Sequence, residues 1–177
     1  MNKPLHRAGL TPLNVPIVSR VRRNHALEHA TLHVLTEAHP ELRLMGRSSP
    51  WGFFVYGSVP TEAVLAAAQE ALRRLQAGQR RMAIHPNCGS NLAVAGILAG
   101  LGAFLALGGR SKGWLERLSR LPLACAAAVG AIFLAQPLGS VVQARMTTQA
   151  EVGGLRIVEI TQEKQVGLPV HYVHTEG

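Results

Sequence analysis

A histidine-rich stretch near the start of the chain has the composition of a metal site. Residues 22–35, RRNHALEHATLHVL, carry His25, Glu28, His29 and His33, and so hold three of the chain's eight histidines. Each residue of a helix turns about 100°, so side chains four positions apart lie on one face. The three histidines therefore form a row, with Glu28 beside it. Two imidazoles one turn apart can bind a single Zn²⁺ ion, so we predict His25 and His29 as zinc ligands.

The five residues from His25 to His29 also indicate what such an ion could catalyse. Their spacing, H-x-x-E-H, resembles the motif of the inverzincin metallopeptidases. The resemblance implies that the two histidines bind zinc and that Glu28 is the general base, which takes a proton from the metal-bound water. It covers these five residues alone, and the distant carboxylate that is the third ligand of those peptidases has no identifiable counterpart here. Asn24 and His33 are predicted to support the ligands through hydrogen bonds.

An ordinary amphipathic helix is the alternative for residues 22–35, because a motif of five residues also arises by chance. Two features favour the metal site. His33 extends the row of imidazoles, and the neighbouring side chains of Ala26, Ala30 and Thr31 are small enough to leave room around an ion.

A second motif, H-P-N-C-G at residues 85–89, lies just before a long apolar run. Its H-x-x-C spacing suits two zinc ligands, so we predict that His85 or Cys88 completes the site, with Asn87 as a nearby hydrogen-bonding group. Zinc bound by four protein ligands is structural, whereas a catalytic zinc keeps an open position. The alternative is a plain turn, after which Ser90 or Asn91 caps the next helix.

Two long segments of the chain carry no charged residue, residues 92–109 and residues 121–144. Each can cover a hydrocarbon core ~30 Å thick at ~1.5 Å per residue. The basic loop between them, RSKGWLERLSR at residues 110–120, suits a short helix in the membrane interface. The alternative, two buried helices of a soluble core, needs a longer chain to wrap them. We therefore predict a transmembrane hairpin.

The remaining segments predict the elements that would position the two motifs. Helices are expected at residues 18–38 and 61–77, and strands at residues 42–47, 52–59, 81–85, 155–161 and 170–174. This order predicts an α+β fold: a small, mostly antiparallel sheet with two helices, interrupted by the hairpin. The predicted divisions are an extended arm at 1–17, an α+β domain at 18–90, the hairpin at 91–144, and C-terminal strands at 145–177 that join the α+β domain.

Composition limits the partners that this chain could bind. It is 47% hydrophobic and 16% charged, with a net charge of +8. Contact with the headgroups of a lipid bilayer explains the positive charge. Nucleic acid is excluded as a partner, because the basic residues are scattered and few aromatic residues lie among them. Small residues at 96 and 100, and at 124 and 128, have helix-packing spacing, and predict contact between the two spans or with a second copy.

The order of motifs along the whole chain resembles that of a small family of uncharacterised bacterial membrane proteins. These motifs are N-H-A-L-E-H-A-T, G-F-F-V-Y-G and H-P-N-C-G, followed by the apolar hairpin. The resemblance implies a membrane-associated protein whose two polar motifs belong together, and it carries no known activity.

Two functions therefore remain open from the sequence. One is a membrane-anchored zinc protein that acts as a hydrolase, specifically a peptidase, through Glu28. The other is a non-catalytic assembly factor or complex subunit, with a structural metal site or none, which would bind a second copy or a membrane-complex partner. No signal peptide is recognised in the first 23 residues, so the α+β domain is expected to be cytoplasmic.

Overall fold

The structure is a computed structural model that describes residues 12–108, 113–165 and 168–177. The chain divides into two compact units. The first unit comprises the chain up to Ile84 together with Ala144–Gly177, and the second comprises His85–Gln143. Of the extended arm predicted at residues 1–17, residues 1–11 lie outside the described residues. Pro12–Asn14 forms a short 3₁₀ helix, and the last two residues of the arm belong to the following helix, Pro16–Ala38.

The first unit contains a four-stranded sheet in which all neighbouring strands are antiparallel. The strands lie in the order β1-β2-β4-β3, and their bounds are β1 Met45–Ser49, β2 Gly52–Tyr56, β3 Arg156–Gln165 and β4 Leu168–Glu176. This confirms the predicted α+β fold with a small antiparallel sheet. The last strand of the sequence lies inside the sheet, between β2 and β3.

Strand β1 begins at Met45, later than the run predicted at residues 42–47. The β1–β2 hairpin then turns at Pro50 and Trp51. Gly52 explains the position of the turn. Its φ is +149°, a value that disfavours residues with a side chain, and a Cβ there would overlap the carbonyl oxygen of Val173.

Two helices pack on one face of the sheet. Helix α1, Pro16–Ala38, begins with proline in its first turn and ends just before His39-Pro40, as expected for a residue that precedes proline. Helix α2 is Thr61–Gln76. The core between these helices and the sheet consists of apolar side chains that are almost completely buried: Leu27, Ala30, Leu35, Phe53, Val55, Val64, Ala68 and Val173.

The strand predicted at residues 81–85 is wrong. Arg80–Ala83 forms a 3₁₀ helix, closed by hydrogen bonds such as that from the Ile84 N–H to the Arg81 carbonyl at 3.1 Å. An alternation of five residues is too short to decide between a strand and a local turn. The cap predicted for the following helix is also wrong, because its N-cap residue is Cys88 and no side chain caps it.

The second unit contains the two long apolar segments, both of which are helical. Helix α3 is Gly89–Leu107 and helix α5 is Leu121–Val142, and the short helix α4, Trp114–Ser119, lies between them. A π-helix, Gln143–Thr147, follows α5 directly in the chain. Both long helices have the length and composition needed to cross a membrane.

The two long helices approach each other at a glycine that the small-residue pattern did not single out. A Cβ at Gly102 would lie 3.2 Å from the carbonyl oxygen of Ala127. By contrast, the described residues leave open space within 4 Å of a Cβ at Gly96 or Gly100. The prediction that residues 96 and 100 bring the two helices together is therefore wrong, while their contact with a second copy stays a prediction.

Candidate metal centre

The imidazole rings of His25 and His29 are held in the same way. The Nδ1 of His25 lies 2.9 Å from the carbonyl oxygen of Thr147, and the Nδ1 of His29 lies 2.8 Å from that of Ala83. A carbonyl oxygen can only accept, so Nδ1 carries the hydrogen in both rings. A neutral imidazole then has its lone pair on Nε2. Both rings therefore present Nε2 as the nitrogen that can bind a metal ion.

The two rings also lie next to each other on helix α1. Their centroids are 4.3 Å apart, in an edge-to-face arrangement, as the one-turn spacing of His25 and His29 predicts. Metal-binding histidines almost always donate their other ring N–H to a carbonyl, a carboxylate or water. The pair thus combines the proximity and the tautomer that a shared ion requires.

His33, the third member of the row, has the opposite tautomer. Its Nε2 lies 2.9 Å from the carbonyl oxygen of Ile84, so the hydrogen is on Nε2 and the lone pair on Nδ1. His33 therefore does not offer Nε2 as the pair does. Its hydrogen bond instead holds the backbone of Ile84, the residue at which the first segment of the first unit ends. The predicted role of His33 as a supporting residue stays a prediction.

Glu28 lies against strand β1. The side chain is 4% exposed, and its carboxylate accepts a hydrogen bond from the Ser48 hydroxyl. A Cβ at Gly46 would overlap the same carboxylate. Gly46 and Ser48 lie two positions apart, on the strand face that meets helix α1. Sequence reasoning missed both residues, because the strand predicted at residues 42–47 ended before Ser48.

Asn24 fixes the helix that carries the histidines. It is fully buried, donates from Nδ2 to the Ser49 carbonyl at 2.9 Å, and accepts at Oδ1 from the Thr175 hydroxyl at 2.7 Å. It therefore ties α1 to strands β1 and β4 one residue before His25. This contact supports the position of the histidine pair through the backbone.

The H-P-N-C motif in the second unit forms a turn. The Cys88 N–H donates to the His85 carbonyl at 3.3 Å, and the Asn87 N–H donates to the His85 Nδ1 at 3.3 Å. The Cys88 Sγ lies 3.1 Å from the Ser90 hydroxyl. A turn is compatible with both interpretations of the motif, and the use of His85 or Cys88 as ligands stays a prediction.

Two titratable groups outside this region have shifted pKa values. Hydrogen bonds from Arg73 and Arg74 lower the pKa of Glu70, on the exposed face of α2, to about 2. Burial lowers the pKa of His171, whose Nε2 lies 3.2 Å from the Thr61 hydroxyl. His171 is fully buried, whereas His174 on the same strand is partly exposed. Their separation onto opposite faces of the sheet removes this pair as joint ligands, as the strand alternation predicts.

These features define a class: a small α+β unit with a polar histidine-bearing helix, and a pair of long apolar helices inserted within its sequence. The chain belongs to the family of the domain of unknown function DUF6391, which matches residues 20–160. It is 35% identical over 167 residues to an uncharacterised protein of Picosynechococcus sp., covering 86% of this chain and 78% of that protein. No solved structure matches the chain. The expectation of an uncharacterised family is confirmed.

Proposed function

We propose that this protein is a membrane-anchored metal-binding protein whose zinc site is built on His25 and His29. The observation that carries the proposal is the matched pair of hydrogen bonds from Nδ1 to the Thr147 and Ala83 carbonyls. These bonds leave the lone pair on Nε2 in each of the two neighbouring rings. A chance histidine on a helix face needs neither the matching tautomer nor the neighbouring ring.

The third ligand in this proposal is His85 or Cys88. The order of residues along the chain supports this choice. The Ala83 carbonyl accepts a hydrogen bond from the His29 ring, and Cys88 follows five residues later. Five residues span at most roughly 18 Å when fully extended. The H-P-N-C turn therefore starts within reach of the histidine pair.

Zinc is the proposed metal because of the chemistry of these groups. Imidazole nitrogen and thiolate sulfur are its usual ligands in proteins, at ~2.0–2.3 Å. Carboxylate and carbonyl oxygens, which magnesium and calcium prefer, are absent from the proposed ligand set. A thiol must lose its proton before it binds zinc, so loading a site that includes Cys88 would release a proton.

The membrane anchor in this proposal is the pair of long helices, with the lipid bilayer as partner. Their outward side chains include Leu92, Phe104 and Phe133, which are 76%, 71% and 73% exposed. Exposure of so many large apolar side chains to water is unfavourable, whereas lipid tails would cover them. Because both ends of the hairpin join the α+β unit, that unit lies on one side of the bilayer, which we propose is the cytoplasmic side.

Two versions of this function differ in the role of Glu28. In the hydrolase version, Glu28 is the base that takes a proton from zinc-bound water, and the H-x-x-E-H spacing supports it. In the non-catalytic version, the protein is an assembly factor or complex subunit and four ligands close the site. The buried contact of Glu28 with Ser48 and Gly46 favours this second version, because it gives the carboxylate a structural role in joining α1 to β1.

Elemental analysis of the full chain, purified in detergent, tests the proposal. The wild type is expected to hold about one zinc ion per chain, and His25→Ala and His29→Ala are each expected to lose it. His39→Ala is the matched control, since His39 lies beyond the end of α1 and is exposed. A wild type that contains no metal, and takes up none when zinc is added, would overturn the proposal.

A further inference from the structure

The buried side-chain amide of Gln143 makes two hydrogen bonds to the backbone of His85. Gln143 is completely buried. Its Oε1 accepts from the His85 N–H at 2.9 Å, and its Nε2 donates to the His85 carbonyl at 3.0 Å. One side chain therefore satisfies both backbone polar groups of the first residue in the H-P-N-C turn.

Asn91 holds the same turn from a second direction. Its Nδ2 donates to the Pro86 carbonyl at 2.8 Å, and its Oδ1 accepts from the Gln143 Nε2 at 2.5 Å. Gly139 makes room for this arrangement, because a Cβ there would lie 2.5 Å from the Asn91 Oδ1. The two amides and the turn thus form one connected set of hydrogen bonds.

Asn91 lies near the start of α3 and Gln143 directly follows α5, two helices that are mostly apolar. A buried amide is costly unless its hydrogen bonds are made, and here the bonds are directed to the turn. Gln143 also begins the π-helix Gln143–Thr147, whose last residue provides the carbonyl that holds His25. Single-turn π-helices often lie at functional sites.

We infer that Gln143 and Asn91 are positioning residues for the metal centre. They fix the backbone of the turn that carries His85 and Cys88, so that whichever of the two is the ligand is ordered before the ion binds. The inference rests on the proposed zinc site and adds to it residues that do not touch the ion. Loss of hydrogen-bonded support around metal ligands typically lowers metal affinity by 10–100-fold.

Two pairs of variants of the full chain in detergent test this inference. Gln143→Met removes both bonds to His85 at similar side-chain volume, and Gln136→Met, on the exposed surface of the same helix, is its control. Gly139→Ala displaces the Asn91 amide without removing any polar atom. Its control is Gly130→Ala, because a Cβ at Gly130 meets nothing within 4 Å.

The measurements are zinc affinity, by competition with a chromophoric chelator, and the visible d–d absorption of the cobalt-loaded protein, which depends on the ligands and geometry of Co²⁺ whether His85 or Cys88 binds it. Gln143→Met is expected to bind zinc 10–100-fold more weakly than Gln136→Met. Its cobalt spectrum is also expected to lose d–d intensity, while its helical circular dichroism without metal stays unchanged. A merely structural role for Gln143 would change the circular dichroism or melting temperature and leave the cobalt spectrum of the folded fraction intact.

The outcomes separate this inference from the proposed zinc site. If the wild type binds zinc and Gln143→Met binds it equally well with the same cobalt spectrum, the positioning role is wrong and the zinc site stands. If Gln143→Met does not fold, Gly139→Ala decides, and equal affinity in Gly139→Ala and Gly130→Ala would overturn the role. A wild type that binds neither zinc nor Co²⁺ overturns both proposals.

Discussion

The carboxylate of Glu28 lies directly over Gly46, at a place where any larger residue would overlap it. Helix α1 and strand β1 are in contact at this point, and the Ser48 hydroxyl completes the contact by donating to the carboxylate. The residue between the two proposed histidine ligands along the helix is thus also the residue that joins the helix to the sheet. Variants at Glu28 therefore report on both packing and chemistry.

Glu28→Gln separates the two versions of the proposed function. The amide keeps the shape of the side chain and an oxygen that accepts from Ser48, so the variant is expected to fold and to retain zinc. If the wild type hydrolyses peptides, the variant should do so more slowly by ~10²–10⁴, the usual contribution of a general base. Metal content and a peptide-hydrolysis screen measure the two effects, with the exposed Glu41→Gln as control. Loss of zinc from Glu28→Gln would show that Glu28 is a ligand instead.

Gly46→Ala is expected to destabilise the α+β unit by about 1–3 kcal/mol, the usual cost of overpacking a buried contact. Chemical denaturation followed by circular dichroism measures the change. Gly154→Ala is the control, because a Cβ there meets nothing within 4 Å. In the double variant Gly46→Ala/Glu28→Ala, part of the lost free energy of unfolding should be recovered, since Glu28→Ala removes the carboxylate that the new Cβ overlaps. Strictly additive effects of the two substitutions would contradict the contact.

His171 makes the stability of the unit dependent on pH. Its burial lowers its pKa below the ordinary value of 6.5, although the nearby Glu62 opposes the shift. The unfolded chain therefore binds a proton at a pH where the folded chain does not, and the free energy of unfolding falls as the pH drops below 6.5. Melting curves between pH 5 and 8, roughly the range in which histidine titrates, should show a smaller slope for His171→Gln than for the wild type. An unchanged slope in His171→Gln would refute the prediction.

The two apolar helices are expected to form a hairpin that enters and leaves the bilayer on one side. Single cysteines at Ser58 and Thr161, in a chain whose own Cys88 and Cys125 are replaced, should react with an impermeant thiol reagent from the same side of sealed vesicles. A cysteine at Ser119, in the segment between the helices, should react from the other side. Reaction of Ser58→Cys and Thr161→Cys from opposite sides would exclude the hairpin.

The part of the candidate site that lies on one helix could be predicted from the sequence. The row of His25, His29 and His33 follows from helical periodicity alone, and the structure places the first two rings in contact. Their tautomers could not be predicted, because the carbonyls that set them lie 122 and 54 residues away along the chain. Periodicity describes neighbours within an element and carries no information about such distant partners.

Gln143 and Gly46 could not be found for a related reason. Gln143 lies 58 residues from His85 and outside every recognisable motif, at the end of an apolar run. The role of Gly46 depends on the register of β1 against α1, and the predicted start of that strand was displaced along the chain. The fold class was easier to predict, because it depends on the number and order of elements and tolerates errors at their ends.

The position of β4 inside the sheet has a consequence for how the protein is made. Until β4 has been synthesised, strand β2 has an unpaired edge, and the chain from Ile84 to Leu168 must first leave the ribosome. At ~5–20 residues per second, the 92 residues from position 85 to the end of β4 take about 5–18 s. During that interval the first half of the unit exposes an open strand edge and part of its core, a state prone to aggregation. Completion of the sheet therefore comes after synthesis of the hairpin, so delayed insertion of the hairpin into the bilayer would prolong the exposure of that edge.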